Sequence, residues 1–112
     1  MIMKKLIAVI VLGLMLTGVA STASAVAVFI TGSTSCGVWV NSRTNNTAVQ
    51  WMGWFEGYLS GLSMGTKKSA LEGTDNQSIF LWMDNYCRAN PLKDVKAGGQ
   101  VLFWELVEQK GL

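Results

Sequence analysis

The sequence predicts an all-α fold, a small bundle of about four helices stapled by one disulfide. Three observations carry this expectation. Beyond residue 25 the apolar residues recur at helical spacing, as in Ile79, Phe80, Met83, Tyr86 and Cys87, and strand alternation is confined to a short edge at Val26 to Ile30. Capping residues precede the apolar runs, with Ser35, Thr47 and Thr74 each placed just before one. Two cysteines, Cys36 and Cys87, lie downstream of an export-like leader.

The leader comes first. Lys4 and Lys5 form a basic head, Leu6 to Ala20 run apolar, and Ala23-Ser24-Ala25 is a small-x-small cleavage site. Residues 1–25 therefore read as a cleaved signal peptide, and residues 26–112 as one helical domain. An uncleaved membrane anchor is the rival reading. An even number of cysteines in an exported chain points to a Cys36–Cys87 disulfide. Closing a loop of that length stabilises by about 4 kcal/mol in the chain-entropy model. A domain this small often needs such a staple.

Each helix has its own local reason. Ser33 or Ser35 caps a short helix through CGVWVNSR, which the polar run SRTNNT ends. Thr47, with Gln50 three residues on, forms a capping box for the helix AVQWMGWFEGYLSGLS. That helix is about 24 Å long at 1.5 Å per residue and is broken by Gln50, Glu56 and Ser60, too short and too polar to cross a bilayer. Within it Gly53, Gly57 and Gly61 fall on one stripe. Each glycine costs the helix about 1 kcal/mol relative to alanine, so the stripe is expected to face another helix at close range. A leucine at Gly57 would then clash. A polar connection with one turn near Ser69 to Glu72 follows, and Thr74 with Gln77 repeats the capping box ahead of SIFLWMDNYC. Pro91 is expected at the first position of a last helix through Lys110, with Leu92, Val95, Gly99, Leu102 and Leu106 on its inner stripe. Gly98-Gly99 kinks that helix or is the counterpart of the glycine stripe.

Composition narrows the function. Once Lys4 and Lys5 leave with the leader, the remaining basic residues equal the seven acidic ones in number, which excludes the basic face that a nucleic-acid binder requires. The chain has no histidine and only the disulfide pair of cysteines, so no Ser-His or Cys-His arrangement, no ordinary zinc site and no cofactor are expected. Glu56 and Asp84 are the two carboxylates set among aromatic residues, and a small enzyme would have to use that pair. Five tryptophans exceed what so small a core needs, which leaves one or two for a binding surface.

An exported helical domain with a cysteine near its start and another late in the chain resembles the HdeA-type periplasmic fold and the related type VI secretion immunity proteins of the Tai kind. Gly57-Tyr58-Leu59-Ser60-Gly61 is similar to the GY-hydrophobic-x-G element of the latter, and WMDNYCRANPL, Trp82 to Leu92, to a later helix that leads into a proline. The similarity covers about residues 33–108. Two cysteines common in the immunity group are missing here, one just before the GY element, where Trp54, Phe55 and Glu56 stand, and one in the middle loop. The resemblance implies a periplasmic module that binds another protein, either an effector that degrades cell wall or a client of an acid chaperone; a second copy of the chain is a further candidate. It places the partner-binding surface near Tyr58, Asp84 and Tyr86.

Overall fold

The computed structural model describes residues 32–112. The expected signal peptide, Met1–Ala25, and the extended edge at Val26 to Ile30 lie outside the described residues. Within them the chain forms four helices: α1 (Cys36–Thr44), α2 (Val49–Thr66), α3 (Asn76–Ala89) and α4 (Val95–Gln109). There is no strand among the described residues, only an isolated antiparallel bridge between Ser35 and Asp94.

Three of the four helix starts are set by a short polar side chain that accepts an otherwise unpaired N–H. Ser35 Oγ accepts from Val38 N at 3.1 Å, the second of the two serines expected to do so. Asp75 caps α3, accepting from Ser78 N at 2.7 Å, one residue after the Thr74 of the expected capping box. Its carboxylate also takes the Ser78 hydroxyl at 2.8 Å, a stronger arrangement than a threonine would give. Asp94 caps α4 through Ala97 N at 2.7 Å. That helix therefore starts at Val95 rather than Pro91; Pro91 sits in the preceding turn, and Leu92, expected on the inner stripe, is 99% exposed. The fourth start has no side-chain cap: Ala48 occupies the position, and Thr47 instead closes α1, its N–H and its hydroxyl both donating to the Ser42 carbonyl, at 2.9 and 3.5 Å. At its other end α2 outruns the expected Ser63 and stops where Lys67 takes a left-handed conformation, φ 57°.

α1 and α3 pack antiparallel, tied at three levels. Cys36 at the start of α1 is disulfide-bonded to Cys87 near the end of α3, with Cα atoms 4.8 Å apart. One turn on, Trp39 reaches Asp84, and a turn further Arg43 reaches Asp84 and the ring of Phe80. α4 is tied to the start of α1 by main-chain bonds, Cys36 N to Lys93 O and Val95 N to Thr34 O, both 2.9 Å. The core between the helices is aromatic. Trp39, Phe55 and Phe103 are fully buried, and Trp39 meets Phe55 edge-on at 5.8 Å between ring centroids.

Glycine does bring helices together here, but on α4. A Cβ on Gly98 would lie 2.8 Å from Met83 and from the Tyr86 ring on α3, and one on Gly99 would lie 2.9 Å from the Tyr58 ring on α2. The stripe expected to pack, Gly53, Gly57 and Gly61, instead faces outward, with no atom within 4 Å of a Cβ built at any of the three. The reason is the orientation of α2. Phe55 and Leu59 are buried, with Trp51, Met52 and Leu62 packed against the core beside them. At about 100° per residue that apolar group lies across the helix from the glycines, and burial of aromatic area decides which side turns inward.

These two sets of glycines make opposite predictions. Gly57→Ala should raise stability by about 0.5–1 kcal/mol, since it removes backbone entropy from an exposed helix interior without a clash. Gly99→Leu should lower it by about 1–3 kcal/mol through overpacking against Tyr58 and Phe55. Urea melts of both variants decide it; a loss of stability in Gly57→Ala would place that stripe in contact.

Candidate functional site

Asp84 was expected at a partner-binding surface, and this is corrected. It is 7% exposed and fully engaged inside the bundle. Its Oδ1 accepts from Trp39 Nε1 at 2.8 Å and from Arg43 Nε at 2.9 Å, while Oδ2 takes Arg43 Nη2 at 2.9 Å. The Arg43 pair is a two-pronged ion pair, which fixes both side chains. Burial works to raise the Asp84 carboxyl. Hydrogen bonds from Arg43 and Trp39, with the charges of Arg43 and Arg88, outweigh it and hold the group below the usual carboxylate range. The Asp84 hydrogen bond in turn raises Arg43. With three hydrogen bonds and an ion pair holding it toward α1, Asp84 is engaged by Trp39 and Arg43 rather than set as a carboxylate facing Glu56.

Tyr58 and Tyr86 are also held by packing. The Tyr58 ring stacks on Trp54 at 5.1 Å and lies over Gly99. Burial raises its phenol above the ordinary value, with Gln100 acting against this and Asp94 with it. Gln100 nonetheless leaves the buried hydroxyl without a hydrogen bond of good geometry. Tyr86 stacks on Trp82 at 5.3 Å and is half-buried against Gly98. The three residues are thus distributed over the α1–α3, α2–α4 and α3–α4 contacts and do not form one surface.

The structure presents a different group. On the outward side of α4, Val101 and Trp104 are each 49% exposed and, with Gln100, Glu105 and Glu108, line a shallow groove of about 500 Å³. Because Val95, Gly99, Leu102 and Leu106 fill the inner side, the positions three and four residues apart on the opposite side fall together. Trp104 leans edge-on against the buried Phe103 at 5.3 Å, so its indole has a firm base. Single exposed apolar residues such as Met64 or Leu81 are ordinary, but a tryptophan and a valine sharing one groove are a feature of interaction surfaces. Of the five tryptophans, one or two of which the composition leaves for a binding surface, Trp104 is the exposed one. The α4 spacing contained that answer, since Trp104 is half a turn from Leu102 and Leu106.

No group of three His, Cys, Asp or Glu close enough to hold a metal occurs among the described residues, and no helix among them is long and apolar enough to cross a membrane. Compared with protein-family models, curated proteins and solved structures, the chain matches none significantly. What the fold and site define is a disulfide-stapled four-helix domain that carries an aromatic groove with an acidic edge.

The Asp84 cluster makes a prediction about pH. A carboxyl held below its unfolded value of about 3.9 stabilises the fold above that pH, and the contribution is lost as pH falls through the folded value. Asp84→Asn should cost about 2–3 kcal/mol at pH 7, because Arg43 and Trp39 lose a charged acceptor. The gap between wild type and variant should close as the pH falls below about 4. Asp75, lowered by its bonds from Ser78, titrates in both proteins, so the difference between them is the quantity to follow in chemical melts. A gap that persists unchanged to the acid limit would remove Asp84 as its source.

Proposed function

We propose that this chain is an exported protein-binding module, of the kind that protects a cell envelope by occupying an effector that degrades cell wall. The observation that carries the reading is the half-exposed Trp104 beside Val101 on α4, a rigid aromatic anchor in an open groove. The disulfide supports an oxidising compartment, in keeping with the periplasm that the leader implies. The GY element and the Trp82–Leu92 segment carry the likeness to Tai-type immunity proteins, but their aromatic rings serve packing, and the proposed contact surface is on α4.

Two alternatives remain distinguishable by experiment. An acid chaperone of the HdeA type would need carboxylate protonation to release a client-binding surface. Here Asp75 caps a helix and Asp84 holds an ion pair, both with carboxyls lowered by those bonds, so their protonation would loosen the fold rather than release a surface. A small enzyme built on Glu56 and Asp84 would need Asp84 freed from Arg43.

The test is capture by the tagged full chain from envelope extract, with the product of a neighbouring effector gene as the first candidate. Trp104→Ala should weaken binding at least tenfold, about 1.4 kcal/mol or more, while shifting stability by under about 1 kcal/mol. A partner that binds the variant as tightly as wild type would dismiss the α4 groove as the contact. Protection of a client from aggregation only at low pH, with no partner at neutral pH, would favour the chaperone.

A further inference from the structure

The charges around Trp104 are arranged against the interests of their own helix. Glu105 and Glu108 are three residues apart on one face, where like charges repel. Both lie in the last turns of α4, near the negative end of the helix dipole, where cations are favoured. No lysine or arginine stands three or four residues from either, and neither forms an ion pair among the described residues. Lys110, the basic residue closest in sequence, is turned away and donates to the Glu72 carbonyl.

The contrast with the aspartates is informative. Each aspartate of the described residues has a defined intramolecular role: Asp75 and Asp94 cap helices, and Asp84 holds Arg43 and Trp39. Glu105 and Glu108 share the lack of such a role with Glu56 and Glu72, but they alone among the glutamates edge the groove in which the exposed indole sits. An indole face with a carboxylate beside it is the pair of groups that binds a guanidinium or ammonium best. The ring attracts the cation through its quadrupole, and the carboxylate accepts its N–H donors. Val101 adds an apolar contact for the stem of a long side chain or for a neighbouring apolar residue.

We infer that the outward face of α4, Val101, Trp104, Glu105 and Glu108, docks a basic amphipathic segment of a protein partner, with an arginine or lysine laid on the Trp104 indole between the two carboxylates. This rests on the protein-binding reading given above and names the chemistry of the partner for that same groove. The carboxylates set the charge preference and the attraction at a distance, and Trp104 with Val101 sets the contact. An acidic segment or a nucleic acid would be repelled from this face.

The probe is a 15-residue amphipathic peptide of leucine and arginine, with a leucine–glutamate peptide of the same pattern as control. Binding to the oxidised exported protein is followed by the indole N–H resonances of the five tryptophans, the Trp104 signal being assigned by its loss in Trp104→Phe. The Trp104 signal should move saturably with the arginine peptide and stay still with the glutamate peptide. Raising salt from 50 to 300 mM should weaken binding several-fold, and Glu105→Gln with Glu108→Gln should weaken it at least tenfold. Equal response to both peptides, or an unchanged affinity in the double glutamine variant, would overturn the basic partner. The protein-binding reading would survive that outcome if Trp104→Ala still lost the captured partner, and would fall if it did not. Movement of the Trp104 signal with protein concentration alone would assign the groove to a second copy of this chain and overturn the inference as well.

Discussion

The bundle depends on one buried carboxylate. Asp84 lies on α3 with almost no access to water, and a charge there is tolerable only if its acceptor sites are filled. Trp39 and Arg43, one helical turn apart on α1, fill them from the same side. That requirement fixes the register of α1 against α3. A slip of one turn would leave the charge facing apolar neighbours. The Cys36–Cys87 bond lies one turn away along the same antiparallel pair and enforces the same register covalently. Disulfide and ion pair therefore constrain one interface twice. The disulfide acts chiefly on the unfolded chain, and the carboxylate acts on the geometry of the folded one.

With α1 and α3 fixed, the remaining helices fill in around Trp39. Phe55 of α2 meets it edge-on, and α4 closes the bundle by sliding Gly98 beneath Tyr86 and Gly99 beneath Tyr58. The two tyrosines that resemblance placed at a contact surface are in fact the lids over these glycines. Each is backed by a tryptophan stacked within its own helix, Trp54 for Tyr58 and Trp82 for Tyr86. Large flat rings over a bare backbone bury area without a side chain intervening, which is how so short a chain reaches a dense core.

Much of the fold was legible because local rules and packing agreed. The helical periods of α1 and α3 followed from spacing, the cap of α1 was narrowed to Ser33 or Ser35 by residue type, and the disulfide followed from an even cysteine count behind an export-like leader. Boundaries were less legible because several capping residues compete near each start. Asp75 displaced Thr74, and Asp94 displaced Pro91, since a carboxylate accepting an N–H outweighs a hydroxyl or a preset φ. The glycine stripe was misleading for a different reason. Spacing shows that glycines share a side of a helix, but which side turns inward depends on the area buried opposite, here Phe55 and Leu59. The same limit applied to Asp84, whose aromatic surroundings marked it as unusual without revealing that Trp39 and Arg43 were its partners.

The surface that remains is the converse of that lesson. Residues that look unusual in the sequence, namely Asp84 in its aromatic run and Tyr58 in the GY element, are taken up by the interior. Trp104 stands in the sequence among ordinary helix formers. Once α4 is packed, Leu102 and Leu106 face inward and Trp104 faces out, resting on Phe103 with half its surface in water. Glu105 and Glu108 beside it form no ion pair among the described residues, and sit where the helix dipole disfavours them. The three aspartates are all engaged within the fold, whereas Trp104 keeps half its surface in water and Glu105 and Glu108 edge the groove beside it. The interior thus takes up the residues that stand out in the sequence, and the half-exposed ring it leaves on α4 is the feature on which the protein-binding proposal rests.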